Sequence, residues 1–277
     1  MPQHLINMPA IKKTDSPENG FSLLEVAIAL AILGLLLGTL VQPLGSVFQQ
    51  EKVRRAKSDL ETIREALIGF SIAHGRLPCP ASVDPNDSAN SGAESPEGGG
   101  DCDKQHGFVP ALTLALQGPR NQDGLLLDPW GNPYRYSVDQ SDNGGAGTAD
   151  FTTQGDIAAV GAENLAPRLE ACPTASSSTT QCTPNADRLT DDGVPVIIYS
   201  MGRNWANYSS DDELENAGED DSTMTNDAGL PYPIAGDRIF VSKGIHSVAG
   251  DREFDDIVLW LSTYVLYSRL INAGTLP

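Results

Sequence analysis

At 277 residues the chain has room for one large domain or two small ones. Lys+Arg 18 against Asp+Glu 37 give a formal net charge of -19, which excludes a phosphate-backbone binder, because neutralising a nucleic acid takes a Lys/Arg surface. Such acidity suits a soluble, self-repelling surface or cation binding. Residues 1–20 are polar, carry Lys12 and Lys13, and end at Gly20. From Phe21 to Val41 follows an apolar run of about 21 residues, roughly 31 Å as helix, enough to cross a bilayer core. Its one charged residue is Glu25. A secretory signal peptide has a shorter apolar region and a small-residue cleavage site. Here Gln42-Pro43-Leu44 follows instead, so the segment is expected to be retained. A carboxylate costs about 2.5–3.5 kcal/mol at the centre of a membrane helix and less near its end. Glu25, near the start, reads either as a wet residue at headgroup level or as a buried acid awaiting a partner.

Gly20-Phe21-Ser22-Leu23-Leu24-Glu25, set before a membrane-length run, resembles the prepilin processing motif of type IV pilins and type II secretion pseudopilins. That motif has Gly, a methylatable aromatic, Thr or Ser, Leu, and Glu as the fifth residue after the cut. The resemblance implies cleavage after Gly20 and N-methylation of Phe21 by a prepilin peptidase. It also implies polymerisation through the N-terminal helix, with Glu25 as an assembly contact. On this reading 1–20 is a leader peptide and 21–43 the transmembrane and assembly half of the helix. Residues 44–277 form a periplasmic globular domain that includes the helix's second half. The implied location is the bacterial inner membrane, single-pass with the leader cytoplasmic, and after assembly a pilus or pseudopilus. Glu51 to Lys57 is more basic than the leader, and a positive-charge count alone would place that side in the cytoplasm. The paired cysteines and the processing motif place it outside. Pro43 is expected to remove a helix hydrogen bond and favour a kink.

Val53, Ala56, Leu60, Ile63, Leu67 and Phe70 recur at steps of three and four, one apolar stripe that carries the helix beyond the membrane segment. His74-Gly75, then Pro78 and Pro80, mark its end. The four cysteines form two sequence-local pairs with no C-x-x-C. Their even count suggests disulfides in an oxidising compartment, and Cys79–Cys102 with Cys172–Cys182 is the simplest of the three possible connectivities. Residues 84–101 read as an irregular loop, and Phe108–Leu116 as a helical turn after Pro110. Tyr134–Val138, Val194–Ser200, Arg238–Ser242 and Asp256–Ser262 read as strands. Thr263–Ala273 has helical spacing at Tyr264, Tyr267, Leu270 and Ile271.

A second resemblance lies in Asp128-Pro129-Trp130-Gly131-Asn132-Pro133-Tyr134, similar to a stretch of the major pseudopilins. Physically it is a Pro/Gly turn with an aromatic, leading into a strand. In those pseudopilins a later acidic loop before a D-I-x-x-W strand binds calcium. The corresponding order here is Tyr199–Gly202, an insert containing Asp211-Asp212-Glu213-Leu214-Glu215, and Asp255-Asp256-Ile257-Val258-Leu259-Trp260. The calcium ligands implied are Asp211, Asp212, Asp255 and Asp256, since calcium takes six to eight oxygens and clustered carboxylates left alone repel. The insertions around Cys172–Cys182 and over 203–237 match no such pattern.

His4, His74, His106 and His246 are scattered without paired-ligand spacing, and no G-x-S-x-G or Walker-type loop is present. The expected fold is α+β and pilin-like: a long N-terminal helix, its first half transmembrane, packed on a small antiparallel sheet, with long loops and a short C-terminal helix. The function expected is a minor pilin or pseudopilin, a structural filament subunit and not an enzyme. Its partners would be other subunits, the prepilin peptidase and the inner membrane. A pilin-anchored adhesin or ligand-binding module is the alternative, ahead of a membrane-anchored periplasmic enzyme.

Overall fold

A computed structural model of the protein describes residues 22–81, 92–183, 188–190, 192–205, 210–217, 224–225, 231–232, 236–245 and 253–276, without the side chains of 37–46, 224–225 and 231–232. The leader, Gly20 and Phe21 lie outside the described residues, and so do Pro43's ring and much of the expected 203–237 insertion. The chain divides into two units, Met1–Gln49 and Gln50–Pro277. In the first unit, helix α1 (Leu23–His74) begins, with the Ser22 hydroxyl accepting from the Leu24 N–H at 3.3 Å. Leu23, Leu24, Ile28, Leu30, Ile32, Leu33, Leu35 and Leu36 are all exposed there. Among the described residues, no helix is long and apolar enough to cross a membrane.

In the second unit the remainder of α1 buries its stripe. Ala56, Leu60, Ile63 and Leu67 are at most 1% exposed, the pattern that steps of three and four dictate for one helix face. Gly75 ends the helix in the left-handed region (φ 68), its N–H donating to the Ser71 carbonyl at 2.8 Å, as a glycine cap does. Immediately beyond, Arg76 makes a bidentate pair with Glu94, both bonds 2.7 Å and both side chains buried. The Glu94 carboxylate also accepts from the Cys79 N–H at 3.1 Å, beside the Cys79–Cys102 disulfide. This buried ion pair joins the end of α1 to the segment around Glu94, and nothing in the local sequence pairs those two residues.

The central sheet is antiparallel, with strands in the order β1 (His106–Phe108), β2 (Arg135–Val138), β4 (Val196–Ser200) and β8 (Ile257–Leu261). Three of these strands lie within the expected runs; β1 was not anticipated, being three residues with a His and a Gly. Residues 111–115 form turns and not a helix. β4 reads V-I-I-Y-S because both of its faces are covered. Val196 and Ile198 join the cluster that holds Leu60, Ile63 and Leu67 of α1. Ile197 and Tyr199 join Leu169, Val194, Ala217 and Phe240 on the opposite face.

That second layer is built by the insertions. Helix α2 (Asp156–Val160) and β3 (Glu170–Cys172) precede β4. β3 pairs in parallel with β7 (Ile239–Val241), and Cys172–Cys182 closes the loop after β3. Helix α3 (Asp211–Ala217) follows β4, and β5 (Met224–Thr225) pairs with β6 (Pro231–Tyr232). Helix α4 (Thr263–Asn272) follows β8. It buries Leu266, Tyr267 and Leu270, while Tyr264 and Ile271 of the expected stripe are 67% and 51% exposed. The architecture is therefore α+β, the α1 half-helix packed on an antiparallel sheet as expected, with an additional layer on the sheet's other face.

Candidate functional site

Two regions carry the sequence-derived site residues. Gly20 and Phe21 lie outside the described residues, and Glu25 sits exposed in the first turn of α1. A helix N-terminus favours a carboxylate in that place, and Leu23, Leu24 and Ile28 around it are exposed.

The second region lies where the turn before β2 meets the loop after β4. Asp128 folds its own turn: one carboxylate oxygen accepts from the N–H groups of Trp130 at 2.9 Å and Asn132 at 2.8 Å. Its other oxygen accepts from the Ser200 hydroxyl at 2.5 Å, and the Asn132 amide donates to the Gly202 carbonyl at 2.6 Å. The D-P-W-G-N stretch thus fastens the end of β4 to the loop that carries Gly202 and Arg203. Gly202 has φ +64, and a Cβ there would stand 2.1 Å from Asp255 Oδ1. A side chain is barred twice, by conformation and by this close approach. The Arg203 N–H then donates to Asp255 Oδ2 at 2.9 Å.

Asp255, Asp256 and Glu213 come together, with one oxygen from each lying within 4.8 Å of the others. The Asp255 N–H donates to Glu213 at 3.3 Å, Asn204 donates to both Glu213 oxygens at 3.1 Å, and Asn216 donates to Asp256 at 2.8 Å. Asp255 Oδ1 is buried without a hydrogen-bond partner. Burial above all, with the Glu213 and Glu253 charges adding to it, pushes Asp255 up to about 6; the Arg203 N–H and charge pull the other way. Burial likewise raises Asp256 well above the usual carboxylate range. Three inward carboxylates and an unsatisfied buried oxygen form a hard, all-oxygen donor set of the kind calcium takes.

The structure brings two of the four sequence-derived ligands, Asp255 and Asp256, into this cluster, and adds Glu213. Asp211 is exposed. Asp212 accepts from the Ala175 N–H at 2.6 Å and pairs with Lys243, outside the cluster. Glu213 was legible in principle: Ser210-Asp211-Asp212-Glu213 has the spacing of a capping box, and the Ser210 hydroxyl does accept from the Glu213 N–H at 3.3 Å. That start makes 211–217 a helix and turns Glu213 and Asn216 inward together.

Residues 15–41 match the family described as the prokaryotic N-terminal methylation motif. Over 127 residues the chain is 30% identical to the type II secretion system core protein G of Pseudomonas aeruginosa, covering 43% of this chain and 72% of that protein. The chain belongs to the type IV pilin and pseudopilin family. No solved structure matches it. Membership of the pilin and pseudopilin family agrees with the half-helix on an antiparallel sheet, and points to a structural protein rather than an enzyme. The pseudopilin relative covers less than half of this chain.

Proposed function

We propose that this protein is a minor pilin or pseudopilin, a structural subunit of a type II secretion-like filament or a type IV pilus. The observation that carries the reading is the methylation motif at 15–41, which ends in a helix whose leucines are exposed in the single copy. In the proposed pathway a prepilin peptidase cleaves after Gly20 and methylates Phe21. The run from Phe21 to Val41 holds the subunit in the inner membrane, and the domain from residue 44 onward stands in the periplasm. The minor role follows from bulk: the second layer enlarges the globular part, and a shaft built wholly of such subunits would have to space them apart. N-terminal mass spectrometry of membrane material tests the reading. A mature chain beginning at methylated Phe21 is expected; cleavage beyond Leu40 would make the run an ordinary signal peptide and remove the filament role.

The carboxylate cluster supports a calcium ion held by Asp255, Asp256 and Glu213. Bound there, the cation would neutralise three converging charges and tie α3 to the strand that follows. Chelator is expected to lower the thermal midpoint of the purified protein, and added calcium to restore it. A midpoint indifferent to both would remove the cation from the account.

A further inference from the structure

The two edges of the central sheet differ. At β1, Phe108 exchanges backbone hydrogen bonds with Ala81 at 2.9 and 3.1 Å, so that edge is closed. β8 forms the other edge. The ladder tells which of its groups face outward. The Asp139 N–H donates to the Pro195 carbonyl, so Pro195, Ile197 and Tyr199 turn their backbone groups toward β2, and Val196, Ile198 and Ser200 turn theirs toward β8. Those three pair with Leu261, Leu259 and Ile257. Val258 and Trp260 are left with N–H and C=O directed away from the sheet. Among the described residues neither finds a hydrogen-bond partner outside the ladder, and both are half-buried.

A groove of about 1130 Å³ opens at the C-terminal end of this strand, with Trp260, Tyr264 and Tyr267 on its lining and with Glu163, Arg188 and Asp192 as its charged residues, the last two paired at 3.7 Å. The hydroxyls of Thr263 and Tyr267 are buried there without partners, and Tyr267 is 7% exposed.

We propose that the open edge of β8 and this groove dock an extended segment of a partner polypeptide, which adds to the sheet as a fifth strand. The backbone selects the ligand class: alternating N–H and C=O along a strand edge are satisfied by another strand. Side chains on one face of the added segment fall on the Trp260 side, toward the aromatic groove, where Trp260 is half-buried and Tyr264 is exposed. Charge then decides between occupants. A second copy would bring another chain of net charge -19 to a surface that carries the exposed Glu163 beside the Arg188–Asp192 pair, and a β8–β8 pair would close as a two-fold dimer. A partner segment bearing Lys or Arg beside its apolar positions complements the same surface. This docking role goes beyond filament assembly and does not rest on it.

The test uses the full-length protein in detergent micelles, titrated with a peptide of about nine residues, long enough to span the strand, alternating valine and lysine. Amide hydrogen exchange is expected to slow about tenfold or more at Val258 and Trp260. The same peptide with glutamate in place of lysine is expected to give no slowing. Val258→Pro removes an outward N–H and no ladder bond, and is expected to abolish the protection at Trp260. Unchanged exchange at both amides with the lysine peptide overturns the proposal, and this wild-type titration decides even where the proline variant melts lower. Protection that grows with protein concentration alone, together with dimers in sedimentation, overturns the choice of occupant in favour of a second copy.

Discussion

Burial acts on two titrating side chains with opposite sign. Asp255, pushed up to about 6 from 3.8, keeps its proton in the fold over a range where the unfolded chain has released it. Its contribution to stability therefore declines as pH rises from about 4 through about 6. His106, pushed down to about 3 by burial while the Asp237 backbone pulls the other way, stays neutral where the unfolded chain takes up a proton. That contribution declines as pH falls from about 6.5 toward 3. The two trends overlap, so the informative quantity is a difference between variants. In chelator, Asp255→Asn is expected to melt close to the wild type near pH 4, to gain on it progressively between about pH 4 and 6, and to hold a constant lead above that. The same variant is expected to lose the calcium-dependent rise in midpoint. A gap that does not change with pH would mean that Asp255 does not titrate within the fold. The residues of this cluster were half legible: Asp255 and Asp256 stand next to a strand signal, whereas Glu213 required reading the start of α3 from Ser210.

Among the elements, the two disulfides close loops with sequence separations of 23 and 10. In the chain-entropy model each closure stabilises by about 3 kcal/mol, slightly more for the longer loop. The first loop contains few apolar residues, and its Glu94 forms the buried pair with Arg76. Replacing Cys79 and Cys102 together by serine is expected to cost about 3 kcal/mol in denaturant unfolding, and more where the exposed loop frees that ion pair. A double variant as stable as the wild type would show that the ion pair alone orders the loop. The α1 stripe was legible from its period, and the strands β2, β4 and β8 of the four-stranded sheet from their β-branched and aromatic runs. β1, β3 and α2 were not, since three to five residues carry no period, and their placement is set by partners distant in sequence. α4 shows the limit of spacing alone: the helix is where its pattern indicates, but its buried face is Leu266, Tyr267 and Leu270, turned from the anticipated Tyr264 and Ile271.

At the scale of the whole molecule, the proposal for assembly rests on Glu25. Cleavage before Phe21 would create an α-amine four residues from it. In an apolar setting both charges are costly, and a pair formed between Glu25 of one subunit and the Phe21 amine of the next would offset both. Such a pair also sets axial register, which lipid does not do for apolar helices. Glu25→Ala is expected to be cleaved and inserted normally, yet to be depleted about tenfold or more from sheared filament fractions, the loss that 1.4 kcal/mol or more of contact energy implies. Incorporation equal to wild type would show that the carboxylate is not an assembly contact and would restore the reading of Glu25 as a headgroup-level residue.

The sequence by itself determined the processing motif, the apolar run and helix stripe, the strands with strong alternation or β-branched content, and the class of fold. These are local signals: a cleavage motif, a period, a turn chemistry, each complete within a few residues. Tertiary structure decided the rest. It decided that D-P-W-G-N clamps a loop some 70 residues away, that Glu213 and not Asp211 or Asp212 meets Asp255 and Asp256, and that the insertions cover the sheet's second face. It also decided that Val258 and Trp260 turn backbone groups outward that find no partner among the described residues. Each of these depends on which distant segments the packing of the core brings side by side, and an acidic run or a valine in a strand looks the same in sequence whichever neighbour it meets.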